Sequence, residues 1–333
     1  MYHFVGSYMA NQCQLPVYPT NSAWLHATAP SPLGPFIFQE QVLPPFHHGA
    51  QVGRYIDGSF YIVGDGENTP SNTWHTCGLG RRHLRPAGKH KGGGLWAFGR
   101  SPQDYHVVAT AQRMSGPWTT KVIMETDLSN IHHWSCNLTN LSPLALSNGT
   151  IVMSFRSRSC VSAAIQAVTC RNMCQFIGLA VSTNGWNGPF IKQANPIAAF
   201  TGNEDPFLWQ DERGYHILMH GKLVCGYAGV GTCGSLGYSA DLVNWYFSPQ
   251  PAYGAQVQLS DRTVVELALR QRPQILFNSD MVPLVLYNGV QLQGESYVRN
   301  VAIAFNTAAM RNWQPPPPCP PKARWLFECE TNA

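Results

Sequence analysis

Short apolar runs separated by polar turns follow one another along most of the chain. The runs are rich in β-branched and aromatic residues, and the turns are rich in Asn, Asp and Gly, which is typical of antiparallel hairpins. The hairpin turns are predicted at Asp57-Gly58, Ser147-Asn148-Gly149, Asp211-Glu212-Arg213-Gly214 and Asn278-Ser279-Asp280. The pattern therefore predicts an all-β protein.

A larger unit repeats five times, in which a strand-like run ends in a small-residue turn followed by an aromatic residue. The five turns are Gly34-Pro35-Phe36, Gly116-Pro117-Trp118, Gly188-Pro189-Phe190, Asn244-Trp245 and Asn312-Trp313. A unit of a few strands cannot bury both of its faces alone and must stack on its neighbours. Five such units predict a five-bladed β-propeller with a pocket on its axis. Its innermost strands are expected to begin near His48, Asn140, Asp205 and Gln271.

The first unit is shorter than the others at its start. Tyr2-His3 matches the second-strand pair Tyr215-His216, so the innermost strand of this unit is expected upstream of Met1. The fold class is thus an all-β five-bladed β-propeller whose first blade is incomplete at the N-terminus. Residues 1–314 are predicted to form the propeller, and the Pro-rich tail 315–333 is predicted to pack on it.

Composition excludes several classes of protein. Of the 333 residues, 44% are hydrophobic and 12% are charged, which argues against a disordered chain. The basic cluster between Arg81 and Lys91 lies in the long polar insertion 64–106 and is interpreted as a solvated loop, so no nucleic acid is expected as a partner. No apolar run is long enough to span a membrane.

The ten cysteines point to an oxidising compartment, so we expect disulfides and an extracellular or secretory location. The Gly229–Gly234 segment matches the dinucleotide string G-x-G-x-x-G, but a strand and not a helix follows it; Cys225 precedes the segment and Cys233 lies near its end. A disulfide-pinned loop is therefore predicted there. No metal or other cofactor is expected, although an ion on the propeller axis stays open.

Asp205 carries the strongest chemical signal, in the segment Asn203-Glu204-Asp205-Pro206-Phe207-Leu208-Trp209. The strand that follows is apolar, and burying an acidic pair beside it is costly unless the carboxylates are paired or used. Pro206 favours an extended backbone at Asp205. The sequence favours a functional carboxylate over a simple hairpin cap.

With Arg272-Pro273-Gln274-Ile275-Leu276-Phe277 and Leu286-Tyr287-Asn288-Gly289-Val290, this segment resembles the glycoside hydrolase family 43 propellers of the arabinanase, levansucrase and invertase superfamily. The resemblance implies an inverting glycosidase acting on a plant- or algal-type polysaccharide or oligosaccharide. Such enzymes use two carboxyl groups about 6.5–9.5 Å apart to admit a water molecule. In the family one aspartate is the general base, a second tunes pKa values and a glutamate is the general acid.

The resemblance assigns Asp205 to the aspartate that tunes pKa values, and the general base is expected upstream of Met1. The acid position is occupied by Gln271, and an amide cannot donate a proton to a leaving oxygen at useful acidity. Glu266 is a weaker substitute. The residues expected to bind the sugar are His48, Asn140, Glu204, Arg270, Arg272 and Trp209. One of the two arginines is also expected to lie close enough to a carboxylate to pair with it.

Three functions stay open at this stage: a glycosidase, a sugar-binding descendant that has lost its acid, and a propeller that binds proteins. Gln271 favours the second, whereas Asp205 argues against the third. The expected partner is a carbohydrate substrate or ligand, and the chain is expected to be a monomer. His216 is a weaker candidate for approaching a central ion, and a packed core histidine is the preferred interpretation.

Overall fold

The computed structural model describes residues 1–13, 17–66, 105–126, 133–158, 176–197, 203–221, 232–295 and 298–305. Within them the chain is almost entirely β-structure, with one four-residue α-helix, α1 (Tyr18–Asn21), and two 3₁₀ turns (Ala10–Gln12 and Gly185–Asn187). The all-β prediction is confirmed. The chain divides into two compact units, Met1–Pro196 and Ile197–Ala333.

The first unit holds three antiparallel sheets. Sheet one contains β1 (Tyr2–Met9), β2 (Ser22–Ala29) and β3 (Ile37–Leu43); sheet two contains β4 (His47–Arg54), β5 (Phe60–Gly66), β6 (Tyr105–Ala111) and β7 (Thr119–Glu125). Sheet three contains β8 (Asn137–Ala145), β9 (Ile151–Arg158), β10 (Phe176–Ser182) and β11 (Ile191–Lys192). In each sheet the strands are adjacent in chain order, as in a meander.

The second unit holds two further antiparallel sheets. Sheet four contains β12 (Asn203–Asp211), β13 (Gly214–Gly221), β14 (Gly234–Ser239) and β15 (Tyr246–Phe247); sheet five contains β16 (Gln256–Gln258), β17 (Val264–Phe277), β18 (Pro283–Leu292) and β19 (Arg299–Ala304). The five sheets are the blades of a five-bladed β-propeller, as the repeat predicts.

Sheet one confirms the predicted incomplete blade. Its β2 ends in the turn Gly34-Pro35, just as β6 ends at Gly116-Pro117 and β10 at Gly188-Pro189, and all three Gly–Pro peptide bonds are cis. Because β6 and β10 are the third strands of their sheets, β1 takes the second position of sheet one. The described part of sheet one therefore contains no first strand.

The hairpin turns form where Asn and Asp predict them, through one recurring contact. A side-chain oxygen of the turn residue accepts the backbone N–H two residues later, which is an Asx turn. The four contacts are Asp57 to Ser59 (2.8 Å), Asn148 to Thr150 (3.0 Å), Asp211 to Arg213 (2.9 Å) and Asn278 to Asp280 (3.0 Å). These local contacts fix the strand register close to each turn.

Stacking of sheets explains why the apolar runs are nearly continuous. In β5, Tyr61 and Val63 pack into the core shared with sheet three, whereas Ile62 packs into the core shared with sheet one. Successive side chains of a strand point to opposite faces, so a sheet covered on both faces needs apolar residues at both parities. Trp24 and Phe155 are the largest fully buried side chains of these two cores.

One predicted strand start is wrong. The innermost strand of sheet five is predicted to begin near Gln271, but β17 begins at Val264. The short strand β16 pairs with residues Val264, Val265 and Glu266, and this additional partner extends β17 in the upstream direction. The predicted tail 315–333, most of the insertion 64–106 and Asn312-Trp313 lie outside the described residues.

Candidate functional site

Strands β4, β8, β12 and β17 each contain a β-bulge, between His48 and Gln51, Thr139 and Ser142, Glu204 and Phe207, and Gln271 and Gln274, where two residues face one on the next strand. In every bulge the first of the two residues has a left-handed backbone: Gly49 (φ 69°), Asn140 (φ 56°), Asp205 (φ 54°) and Arg272 (φ 50°). For residues with a Cβ this conformation is costly and is found at turns and functional sites. The bulges therefore place Asn140, Asp205 and Arg272 at equivalent positions of three sheets.

Three of the bulges are held by a side chain of the preceding sheet. Ser7 Oγ accepts the backbone N–H of Gly49 at 2.9 Å, Asp65 Oδ2 accepts that of Asn140 at 3.3 Å, and Asp205 Oδ2 accepts that of Arg272 at 3.2 Å. A bulge removes an N–H from the strand ladder, and a buried N–H without a partner costs free energy. Each of these side chains thus stabilises the bulge of the following sheet.

Asp205 is the buried carboxylate at the centre of the candidate site in the second unit. Its side chain is 6% exposed, and Arg272 binds it twice, through the backbone N–H and through a guanidinium nitrogen 3.7 Å from Oδ1. The prediction that Arg270 or Arg272 pairs with a carboxylate is therefore met by Arg272. The contact also places Asp205 beside the bulge of β17, next to Gln271.

Glu204 and His220 lie directly opposite each other on β12 and β13. Nδ1 of His220 is 3.4 Å from Glu204 Oε1 and 3.9 Å from Asp205 Oδ2, so one imidazole faces both carboxylates. His220 is fully buried, and neither of its ring nitrogens completes a hydrogen bond in the described structure. The carboxylates of Glu204 and Asp205 therefore lie beside the His220 imidazole, whose two nitrogens can still form hydrogen bonds.

Two further buried polar atoms at this end of sheet four also lack hydrogen bonds: Asn203 Oδ1 and Ser235 Oγ. Asn203 pairs with Gly221, next to His220, and Ser235 pairs with Met219, on the other side of His220. A buried polar group without a partner costs about 1–3 kcal/mol. A concentration of such groups beside two carboxylates is typical of a place that binds a polar ligand.

Arg270 has a structural contact set, distinct from that of Arg272. It is 4% exposed, donates from Nε to Asn288 Oδ1 at 3.0 Å and from a guanidinium nitrogen to the Gly254 carbonyl at 2.9 Å, and lies 4.4 Å above the Tyr253 ring. Its predicted role in sugar binding stays a prediction. The geometry shows that it ties β17 to β18 and to the segment before β16.

Gln271 is half-buried and immediately precedes the left-handed Arg272. Glu204 holds the corresponding position of β12, immediately before the left-handed Asp205. Equivalent bulge positions of sheets four and five therefore carry a carboxyl group and an amide. Glu266, the weaker substitute, is exposed and pairs with Gln256 on β16.

Trp209 and His216 pack against each other near the hairpin turn between β12 and β13. Their rings are stacked with centroids 5.0 Å apart, and Trp209 also packs against Phe277. His216 is 2% exposed and its Nε2 is 2.9 Å from Asp211 Oδ1. His216 is therefore the packed histidine that the sequence favours, and a sugar-stacking role for Trp209 stays a prediction.

The first unit contains a second polar cluster, around Asp65. His106 Nδ1 lies 3.1 Å from Asp65 Oδ1, and the backbone N–H of Asn140 binds Oδ2. Burial opposes ionisation of Asp65, but the hydrogen bonds from His106 and Asn140 and the nearby His48 together lower the pKa of this carboxyl below its ordinary value. His48 itself is 8% exposed, and its Nδ1 lies 2.7 Å from Ser22 Oγ.

The sequence analysis did not identify Asp65, His106 or His220 as site residues. Each one lies at the end of a run of apolar residues: Asp65 follows Phe60–Gly64, His106 precedes Val107, and His220 follows Ile217–Met219. A polar residue at the end of an apolar strand is the signal that was available. A polar residue at such a place is usually buried, and a buried polar side chain is usually bonded to a partner.

Within the described ranges, no three His, Cys, Asp or Glu side chains are grouped closely enough to ligate a metal ion. Cys13, Cys136 and Cys233, the cysteines of these ranges, are buried and none is a free thiol. The basic cluster between Arg81 and Lys91 and the cysteine Cys225 lie outside the described residues. Among the described residues, no helix is both long and apolar enough to cross a membrane.

Comparison with known proteins gives structural matches only. No protein-family profile and no curated sequence matches the chain. The structure is similar to an α-L-arabinofuranosidase from Lactobacillus brevis, with a TM-score of 0.51 and 11% identity over 91% of this chain and 87% of that one. It is also similar to an exo-1,5-α-L-arabinanase from a bovine ruminal metagenomic library, with a TM-score of 0.53 and 8% identity over 92% and 89%.

A family 117 glycoside hydrolase from Zobellia galactanivorans matches with a TM-score of 0.51 and 12% identity, over 88% of this chain and 72% of that one. At such identities the similarity establishes the fold and leaves the activity open. The resemblance to glycoside hydrolase family 43-type five-bladed propellers, predicted from the Asp205 and Arg272 segments, is thereby confirmed for the fold.

Proposed function

We propose that this chain binds a carbohydrate at the bulges of sheets four and five, and that it hydrolyses glycosides poorly or not at all. The observation that carries the proposal is the buried Asp205 carboxylate, fixed by Arg272 and set among polar groups with unused hydrogen-bonding capacity. Sugar hydroxyls both donate and accept hydrogen bonds. They can satisfy a carboxylate, an imidazole and an amide at the same time.

The reduced hydrolysis follows from Gln271. Cleavage of a glycosidic bond requires a proton for the leaving oxygen, normally from a carboxylic acid. The side-chain amide of Gln271 can hold a sugar hydroxyl, but it has no proton of suitable acidity to transfer. The position that the family resemblance assigns to the acid therefore supports binding and not catalysis.

Hydrolysis remains a second candidate function because of Glu204. Its side chain is 15% exposed and borders both Asp205 and His220, so a proton-transferring carboxyl group is present one sheet away from Gln271. In that case the Glu204→Gln variant would lose turnover while retaining affinity for the sugar. If the chain only binds the sugar, the loss of the Glu204 acid should change neither turnover nor affinity.

The binding proposal is tested by isothermal titration calorimetry with arabino- and xylo-oligosaccharides. Asp205→Asn is expected to weaken binding at least tenfold, because a hydrogen bond to a charged group contributes about 1.5–3 kcal/mol. Asp280→Asn, at an exposed turn of the same unit, is the matched control and should bind like the parent chain. Equal affinity in both variants, with both folded, would contradict the proposal.

The hydrolysis arm compares the parent chain with Gln271→Glu on aryl glycosides whose leaving groups differ in basicity. The parent chain should favour substrates whose leaving group needs no protonation. If a general base is available, Gln271→Glu should raise turnover on poor leaving groups, since general acid catalysis contributes about 10²–10⁴-fold. Full activity of the parent chain on poor leaving groups would show that the acid lies elsewhere.

The remaining expectations are part of the same proposal. We propose an extracellular or secretory location with disulfides. The ten cysteines of the chain support this, as do the buried residues Cys13, Cys136 and Cys233, none of which is a free thiol. We also propose that the chain acts as a monomer. Mass spectrometry of the reduced and unreduced protein and light scattering in solution test these points directly.

A further inference from the structure

A cleft of about 650 Å³ opens in the first unit, between sheets one and two. It is lined by strand ends His3, Thr28 and Phe60, by Glu40 of β3 and by Arg113 in the turn after β6. Phe60 pairs with Arg54 at the far end of β4, whereas the bulge of β4 lies near its start. The cleft is therefore at the opposite end of this blade from the bulge.

Three side chains form a hydrogen-bonded relay in this cleft. His26 is 3% exposed, its Nδ1 lies 3.2 Å from Glu40 Oε1, and its Nε2 lies 2.9 Å from Nδ1 of His3. A carboxylate only accepts, so Nδ1 of His26 carries the hydrogen. Nε2 of a neutral His26 then accepts from His3, which leaves the Nε2 of His3 as the free end of the relay.

The relay allows His3 to carry a positive charge when a negative group is near. A proton added at its Nε2 is stabilised through His26 by the Glu40 carboxylate. Burial, the neighbouring His26 and the amino group of Met1 lower the pKa of His3, so its ring takes up the proton only when a bound anion offsets these effects. Arg113 is exposed and has no ion-pair or side-chain hydrogen-bond partner in the described structure.

We propose that this cleft binds the carboxylate or sulfate group of an acidic sugar, through the guanidinium of Arg113 and the Nε2 of His3. Arginine recognises oxyanions by paired N–H donors. The half-buried ring of Phe60 offers an apolar face for a sugar ring, and the cleft has room for more than a bare ion. The proposal does not depend on the function assigned to the Asp205 site.

Calorimetric titration with D-glucuronate, sodium sulfate and D-glucose at pH 5.5 and 7.5 tests the proposal. Glucuronate should bind, glucose should not, and affinity for glucuronate should rise as the pH falls, because His3 takes up a proton. Arg113→Gln should weaken glucuronate binding roughly tenfold or more. Lys121→Gln, which removes the same charge from β7 outside the cleft, should have no effect.

His3→Gln retains a donor toward His26 but cannot ionise, so it should abolish the pH dependence of binding. Sulfate binding as tightly as glucuronate would overturn the sugar part of the proposal and leave a site for a free oxyanion. Absence of glucuronate binding at both pH values would overturn the proposal, as would equal binding by the Arg113→Gln and Lys121→Gln variants. Because glucuronate is tested without any neutral oligosaccharide, failure here leaves the test of the Asp205 site unaffected.

Discussion

Replacement of Asp65 by asparagine tests whether the bulge of β8 depends on a carboxylate from the preceding sheet. The Asp65 side chain is buried and accepts from His106 at 3.1 Å and from the backbone N–H of Asn140 at 3.3 Å. An amide of the same shape keeps one acceptor oxygen and loses the negative charge. Its two N–H donors enter a place where the neighbours of Asp65 are donors.

The expected loss follows from these two contacts. A hydrogen bond to a charged group contributes about 1.5–3 kcal/mol, whereas a neutral one contributes about 1 kcal/mol. The variant loses the charge-assisted contact with His106 and keeps a neutral contact with Asn140. We expect Asp65→Asn to lower the free energy of unfolding by about 2–3 kcal/mol at neutral pH.

The pH dependence gives the prediction a second measurement. The pKa of Asp65 is lowered in the folded chain, so its contribution is fully present above the unfolded pKa of about 3.9 and is lost as the pH falls through the folded pKa. The difference between parent and variant should therefore be largest near neutral pH and shrink below about pH 4.

Urea denaturation followed by tryptophan fluorescence at several pH values is the assay. Asp57→Asn is the matched control, since Asp57 is exposed in the turn between β4 and β5 and an asparagine preserves the Asx contact to Ser59. Its effect should stay within about 0.5 kcal/mol. The assignment of Asp65 to the bulge would be refuted if Asp65→Asn were as stable as this control. It would also be refuted if the difference in stability between the parent chain and Asp65→Asn persisted to low pH.

Two further substitutions test packing around the bulges. Gly64→Ala places a Cβ 2.5 Å from the His48 carbonyl oxygen and 2.6 Å from Trp24, so we expect urea denaturation to show about 1–3 kcal/mol of destabilisation. The control Gly254→Ala meets no atom within 4 Å and should change stability little; equal losses of stability in the two variants would contradict the packing argument. Arg270→Met leaves the buried Asn288 Oδ1 and the Gly254 carbonyl without their donor and should cost about 3 kcal/mol in the same assay. An unchanged midpoint would show that Arg270 does not tie these segments together.

The sequence predicted those parts of the fold that depend on residues close together in the chain. The Asx turns at Asp57, Asn148, Asp211 and Asn278 need only a side chain and an N–H two residues away, so local composition identifies them. The alternation of apolar strands and turns gave the five blades. The match between Tyr2-His3 and Tyr215-His216 predicted that β1 takes the second position of sheet one.

The candidate site was predicted only where one segment carries the signal. Asp205 stands before a proline in an apolar strand, and Arg272 stands before Pro273, so both were identified from the sequence. The sequence left open which arginine pairs with the carboxylate, because the contact joins two sheets whose alignment depends on how the blades stack. Trp209 shows the converse, because its indole ring suits sugar stacking, whereas its neighbours in the fold are His216 and Phe277.

Only the tertiary structure decided which polar residues meet. Asp65 reaches the bulge of Asn140 across 75 positions of sequence, and His3, His26 and Glu40 form a relay because β1, β2 and β3 are neighbours in one sheet. A sequence pattern with a period of two residues determines which face a side chain takes. It carries no information on the partner across that face, which is set by strand register and by the packing of one blade on the next.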